Sequence, residues 1–187
     1  ADAAEYGAKT ASVHPLFAIS GGGSAQAKIG SALFTLEGDE SALATVSALL
    51  DACGVHHREI ASSDKPLYHA AAVCASNLAV GLFASAQTML ERCGFGADEA
   101  RGALRPLFVG NCESIAERGP VDALTGPIER NDAETVVGHL MAFREDPTLL
   151  KERDAYTALS RVVVEVAAAK HPERDYSHIA EILRAAR

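Results

Sequence analysis

A chain of 187 residues that is 48% hydrophobic has the material for a proper core, enough for one large domain or for one domain and part of another. Its formal charge of -8 excludes the basic surface that non-specific binding to nucleic acid or to an anionic membrane requires, and leaves a small molecule or another protein as partner. Four cysteines, at positions 53, 74, 93 and 112, form no CxxC pair, and three fall in alanine-rich helical pattern, which points to a reduced, cytoplasmic protein without a disulfide framework.

The opening "ADAAEYGAKTASV" lacks the basic-then-apolar order of a signal peptide and has no initiator Met, so it reads as a cut end or as entry part-way through a domain. Residues 10 to 60 then alternate strand and helix signals. "ASVHPLFAI", "SALFTLEGD" and "REIAS" are short strand-like runs, and between the last two lies "ESALATVSALLDACG", with Leu43, Val46, Leu49 and Leu50 at helical spacing and Gly54 as a stop. This is the pattern of a βαβ unit, in which a helix joins parallel strands. Three strands and one helix are too few for an independent α/β domain, so residues 1–61 are expected to be the last third of a larger sheet.

After residue 61 strand signals stop. A helix capped by Asp64, Ser62 or Ser63 begins near Pro66, a residue tolerated in the first turn, and its apolar pattern runs without a breaker to about Cys93, with Gly94 beyond. At 1.5 Å per residue it would be roughly 40 Å long, and it should be buried on several sides. No run of about 18 or more uninterrupted apolar residues, the need of a membrane span, occurs. Further helices are expected over 97–118 (with Pro106 as a kink or break), 132–143, 148–170 and 175–186, with Asp98 and Asp132 at cap positions and Gly119 and Pro172 where helices should stop. The expected fold is therefore mainly α: a helical domain over 62–187, preceded by a partial α/β segment.

Chemistry-bearing residues gather near the junction. Lys65 and His69, spaced i, i+4, share a helix face and could converge on one ligand, the lysine as acid or base; the plainer reading is a solvated first turn. Asn77 lies farther along a stretch expected to be buried, where an amide must find partners. His14, held extended before Pro15 at a strand's exit, is placed either as a wall of a site or as a simple turn. "SGGGSAQAKIG" fails as a phosphate loop, because Gln26 stands where G-x-G-x-x-G needs its third glycine, and it reads as a flexible loop that could act as a lid. In "LTGPIERND", Thr125, Arg130 and Asp132 could face a ligand, an arginine suiting a carboxylate or phosphate, or the segment is a shaped turn with Asp132 as helix cap. His56, His57 and Cys53 lack zinc spacing, so no metal site is expected, and no GxSxG elbow is present.

Taken in order, "SVHPL", "LEGD", "DKPLYHAAAVCASN" and "LTGPIERND" resemble the bacterial oxidoreductase-like family that joins a Rossmann-like NAD(P) domain to a helical domain of unknown function. That family is similar to the superfamily of 6-phosphogluconate dehydrogenase, 3-hydroxyisobutyrate dehydrogenase, ketopantoate reductase and pyrroline-5-carboxylate reductase. The resemblance implies a helical domain like the C-terminal domain of 6-phosphogluconate dehydrogenase, which pairs with a second subunit as a homodimer. Lys65 and His69 stand where some members carry a Lys-x-x-x-Asn pair for catalysis and substrate binding, the histidine being a departure that leaves the substrate open. It further implies His14, Asn77, Thr125 and Arg130 as substrate contacts and His14 and Pro15 as cofactor contacts, with the nucleotide-binding fingerprint absent from this chain. Two functions follow as expectations. One is an NAD(P)-dependent oxidoreductase, or its substrate and dimerisation part, acting on a small carbonyl, imine or hydroxyacid. The other is a non-catalytic helical dimerisation or ligand-sensing module.

Overall fold

The computed structural model describes residues 6–17 and 29–186; the glycine-rich segment "SGGGSAQA", read as a loop and lid, lies outside the described residues. Contacts divide the chain into two compact units, Ala1–Ala79 and Val80–Arg187, so the helix that begins after residue 61 groups with the sheet.

In the first unit, strands β1 (Ala11–Pro15), β2 (Phe34–Gly38) and β3 (His57–Glu59) form one sheet in that order, with helix α1 (Glu40–Ala52) between the last two strands. β2 and β3 run parallel, giving the expected βαβ unit. β1 pairs antiparallel with β2, Val13 opposite Leu36 and His14 opposite Thr35. Leu36 is fully buried and Thr35 nearly so, because the central strand is covered along both edges. Gly54, at φ 66°, ends α1 in the left-handed conformation that glycine adopts without a Cβ clash.

The single long helix expected from Pro66 to Cys93 is two helices, α2 (Lys65–Ala75) and α3 (Asn77–Arg92), the second crossing the boundary between the units. Ser76 separates them at φ -122°, ψ -78°. Its Oγ donates to the carbonyl of Ala72 at 2.6 Å, the back-bonding by which serine bends a helix. The stretch is also not buried as expected. By length and apolar composition Ser62–Arg92 reaches what a membrane crossing takes, yet no residue in it is fully buried, although Phe83 meets Phe108 edge-on. Asn77 is accordingly exposed and accepts a hydrogen bond from Ser76 Oγ at 3.0 Å.

The second unit is helical: α4 (Ala97–Ala123), α5 (Ala133–Glu145), α6 (Leu150–Lys170) and α7 (Ser177–Ala185). α4 tolerates Pro106 but breaks at Gly119, whose φ of 77° and ψ of 166° are non-helical; the ring of Pro120 disfavours helical geometry in the residue before it. The cap of α4 is Gly96, with Glu99 reaching back to its N–H, rather than Asp98, which pairs with Arg101 instead. Asp132 does cap α5, accepting from the N–H and the hydroxyl of Thr135. Val136, Val164, Ala167, Ile179 and Leu183, with Ile128 and Tyr176, form the core of this unit. Ile179 and Leu183 lie i, i+4 on α7, and that spacing is what turns both inward.

Candidate functional site

The exit of β1 and the wall of α2 enclose an open cleft of about 450 Å³, whose lining includes His14, Leu16, Phe17, Tyr68, His69 and Asn77. Every lining residue belongs to the first unit. His14 is fixed by the ladder to Thr35, whose hydroxyl donates to the His14 carbonyl at 3.3 Å, and Pro15, which has no N–H to extend the ladder, closes the strand behind it. The His14 ring stands edge-on to Tyr68, centroids 5.7 Å apart at 87°, with Nδ1 2.8 Å from the Tyr68 hydroxyl. The walls are mostly alanine and larger apolar side chains, and among the described lining residues there is no lysine or arginine.

Of the residues singled out in the sequence, His14, His69 and Asn77 come together in this cleft. Lys65 does not line it, which corrects the expected convergence with His69. Its ammonium donates to the carboxylate of Glu37 on β2 and, at 3.3 Å, to the hydroxyl of Ser12 on β1. Acceptance of the Lys65 hydrogen bond is the main reason the Glu37 carboxyl is held below its ordinary range; desolvation opposes it, and Ser62 adds a second donor. The pair fastens the first turn of α2 to the sheet and so fixes Tyr68, one turn on. Tyr68 and Glu37 carry no signal in spacing, because their partners lie 54 and 28 positions away.

Thr125 and Arg130 are exposed residues of the second unit. The loop that bears them is built as a turn. Lys170 donates to the carbonyl of Leu124 at 2.7 Å, Tyr176 Oη to that of Glu129 at 2.7 Å, and Asn131, at φ 58°, to that of Asp175. The Glu129 carboxylate meets His171 Nε2 at 2.5 Å, and this hydrogen bond leads the causes that lower its pKa.

Among the described residues no three His, Cys, Asp or Glu side chains gather as metal ligands; His56 is exposed, and His57 Nδ1 faces the carbonyl of Val55 at 3.3 Å. A dinucleotide finds a partial fit. His14 and Pro15 stand at a strand exit, as a nicotinamide contact would, but the helix start that follows β2 carries Asp39 and Glu40, and carboxylates at a helix N-terminus repel a pyrophosphate. That helix start is therefore no diphosphate cradle.

Known proteins divide sharply in what they share with this chain. No curated protein matches it. The family described as a domain of unknown function (DUF2520) matches residues 32–163. The fold is similar to the crystal structure of protein TM1727 from Thermotoga maritima, at 26% sequence identity and a TM-score of 0.72, covering 86% of this chain and 62% of that one. The chain thus spans less than two thirds of that protein.

Proposed function

The chain belongs to the DUF2520 family, and from that premise we propose that it is an NAD(P)-dependent oxidoreductase, or the substrate and dimerisation part of one, acting on a small carbonyl, imine or hydroxyacid. A relation to the 6-phosphogluconate dehydrogenase and ketopantoate reductase superfamily is part of this proposal. The observation that carries it is the meeting of strand-exit His14 with helix-borne His69 and Asn77 in one cleft. Apolar walls with a few convergent polar groups are the usual make-up of a small-molecule site. In this reading the residues of the cleft orient the substrate, and Lys65 holds α2 against the sheet. NAD(P) would supply the hydride chemistry, and the helix start at Asp39 and Glu40 does not suit its diphosphate.

The apolar, unburied stretch from Ser62 to Arg92 favours a homodimer, since so much exposed apolar surface needs a cover. It equally supports a second reading, a non-catalytic helical dimerisation or ligand-sensing module. Titrating NADPH fluorescence with this chain and with the full gene product separates the two. Binding by the full product, with turnover of a small carbonyl or hydroxyacid, supports the oxidoreductase; absence of binding by either supports the module and ends the first reading.

A further inference from the structure

The cleft holds a hydrogen-bond donor that neither spacing nor resemblance marks. Tyr68 Oη lies 2.8 Å from His14 Nδ1. A phenol can donate and accept at the same oxygen, whereas each imidazole nitrogen does one or the other. When Nδ1 carries its hydrogen, it donates to Oη, and the phenol's own hydrogen is free to turn toward a ligand. When Nδ1 is bare, the phenol donates to it and offers the cleft nothing. His14 thus decides where Tyr68 points. Thr35 on the neighbouring strand holds the His14 backbone, and the Lys65 contacts hold the start of the helix that carries Tyr68.

The lining also selects the ligand. Phosphate is recognised by cations or by several free N–H groups, and the one lysine at this end of α2 is engaged by Glu37 and Ser12. Leu16, Phe17 and Val73 offer apolar walls instead. A short apolar chain bearing one carbonyl matches those walls, with the Tyr68 hydroxyl as donor and His69, Ser76 and Asn77 nearby. We propose that Tyr68, oriented by His14, donates the hydrogen bond that polarises the carbonyl oxygen of a small, unphosphorylated ligand in this cleft. The inference rests on reading the cleft as a substrate site, and it transfers the polar role at this end of α2 from Lys65 to Tyr68.

Carbon-13 NMR of 2-butanone and of 2-oxobutanoate, each labelled at the ketone carbon and mixed with the full chain, tests it. A hydrogen bond to the oxygen draws electron density from that carbon and moves its resonance downfield, while apolar contact alone is reported by saturation transfer from the protein to the probe's methyl group. The expected result is a downfield displacement with the parental chain that is lost in Tyr68→Phe with saturation transfer retained, and reduced in His14→Gln. Displacement that survives Tyr68→Phe overturns the role of Tyr68 and leaves the cleft standing as a substrate site. If neither probe shows displacement or saturation transfer with the parental chain, the inference and the reading of the cleft fall together.

Discussion

Lys65, on the first turn of α2, donates to Glu37 on β2 and ties the helix to the sheet. Because the Glu37 pKa is lowered, chiefly by that hydrogen bond, the folded state binds its proton less readily than the unfolded chain does. The stabilisation is then complete above the unfolded carboxylate value, near 4.3, and is lost as pH falls through the lower folded one. Urea unfolding should show the parental chain more stable than Glu37→Gln at neutral pH, with the difference shrinking as acid protonates the carboxylate. It should also shrink in high salt, since Lys65 is half exposed. A difference that stays constant as pH falls would detach the pair from the stability of the unit.

Two glycines hold their places for different reasons. Gly38, at φ 142° opposite Ala11, leaves no room for a methyl group: a Cβ would stand 2.2 Å from the Thr10 carbonyl oxygen and 2.7 Å from the Ala11 Cα. Gly119, at φ 77°, has open space around it and only its backbone angle to defend. Gly119→Ala should cost about 1–3 kcal/mol of backbone strain, whereas Gly38→Ala must displace β1 and should cost more. Thermal unfolding of both variants checks the order, and equal losses would mean that the β1–β2 contact yields easily.

In the second unit, Ile179 is fully buried against the cluster formed with Val136, Val164 and Leu183. Ile179→Ala removes three carbons from a site closed on all sides, and the expected loss is about 2–5 kcal/mol in denaturant titration. His178, its neighbour on the outward face of α7, is exposed, so His178→Ala should leave the midpoint within error. A comparable fall in both would mean that α7 unfolds apart from the core.

What the sequence reveals and what it hides divide along the range of the forces involved. Gly54 and Gly94 stop their helices, and Asp132 caps α5, because turn and cap chemistry is settled within a few residues. The βαβ unit is legible because its helix period differs from its strand period. The antiparallel pairing of β1 is not, since strand direction depends on a connection that no local pattern describes. Ser76 hides a helix break because its cause is a side-chain bond back to Ala72, and serine within a helix more often faces solvent harmlessly. At the candidate site, His14, His69 and Asn77 stand out as polar residues among apolar ones. Lys65 misleads because its partner on β2 is reached only through the fold.

The exposed apolar face of α2 and α3 is the surface on which the proposed homodimer would form. Leu67, Leu78 and Val80 are 77%, 58% and 71% exposed, and burying such side chains is worth roughly 1.5–3 kcal/mol each. Isolated surface leucines need no explanation, but a run without one buried residue does. Sedimentation velocity at micromolar concentration should therefore give a dimer, and Leu78→Asp combined with Val80→Asp should give a folded monomer with unchanged far-ultraviolet circular dichroism, since both changes lie on solvent-facing helix positions. A parental chain that sediments as a monomer, or a double variant that remains dimeric, removes this surface as the interface. A chain that instead floats with neutral lipid vesicles would assign the same face to a membrane, consistent with its length and apolar composition, and would overturn the dimer as its cover.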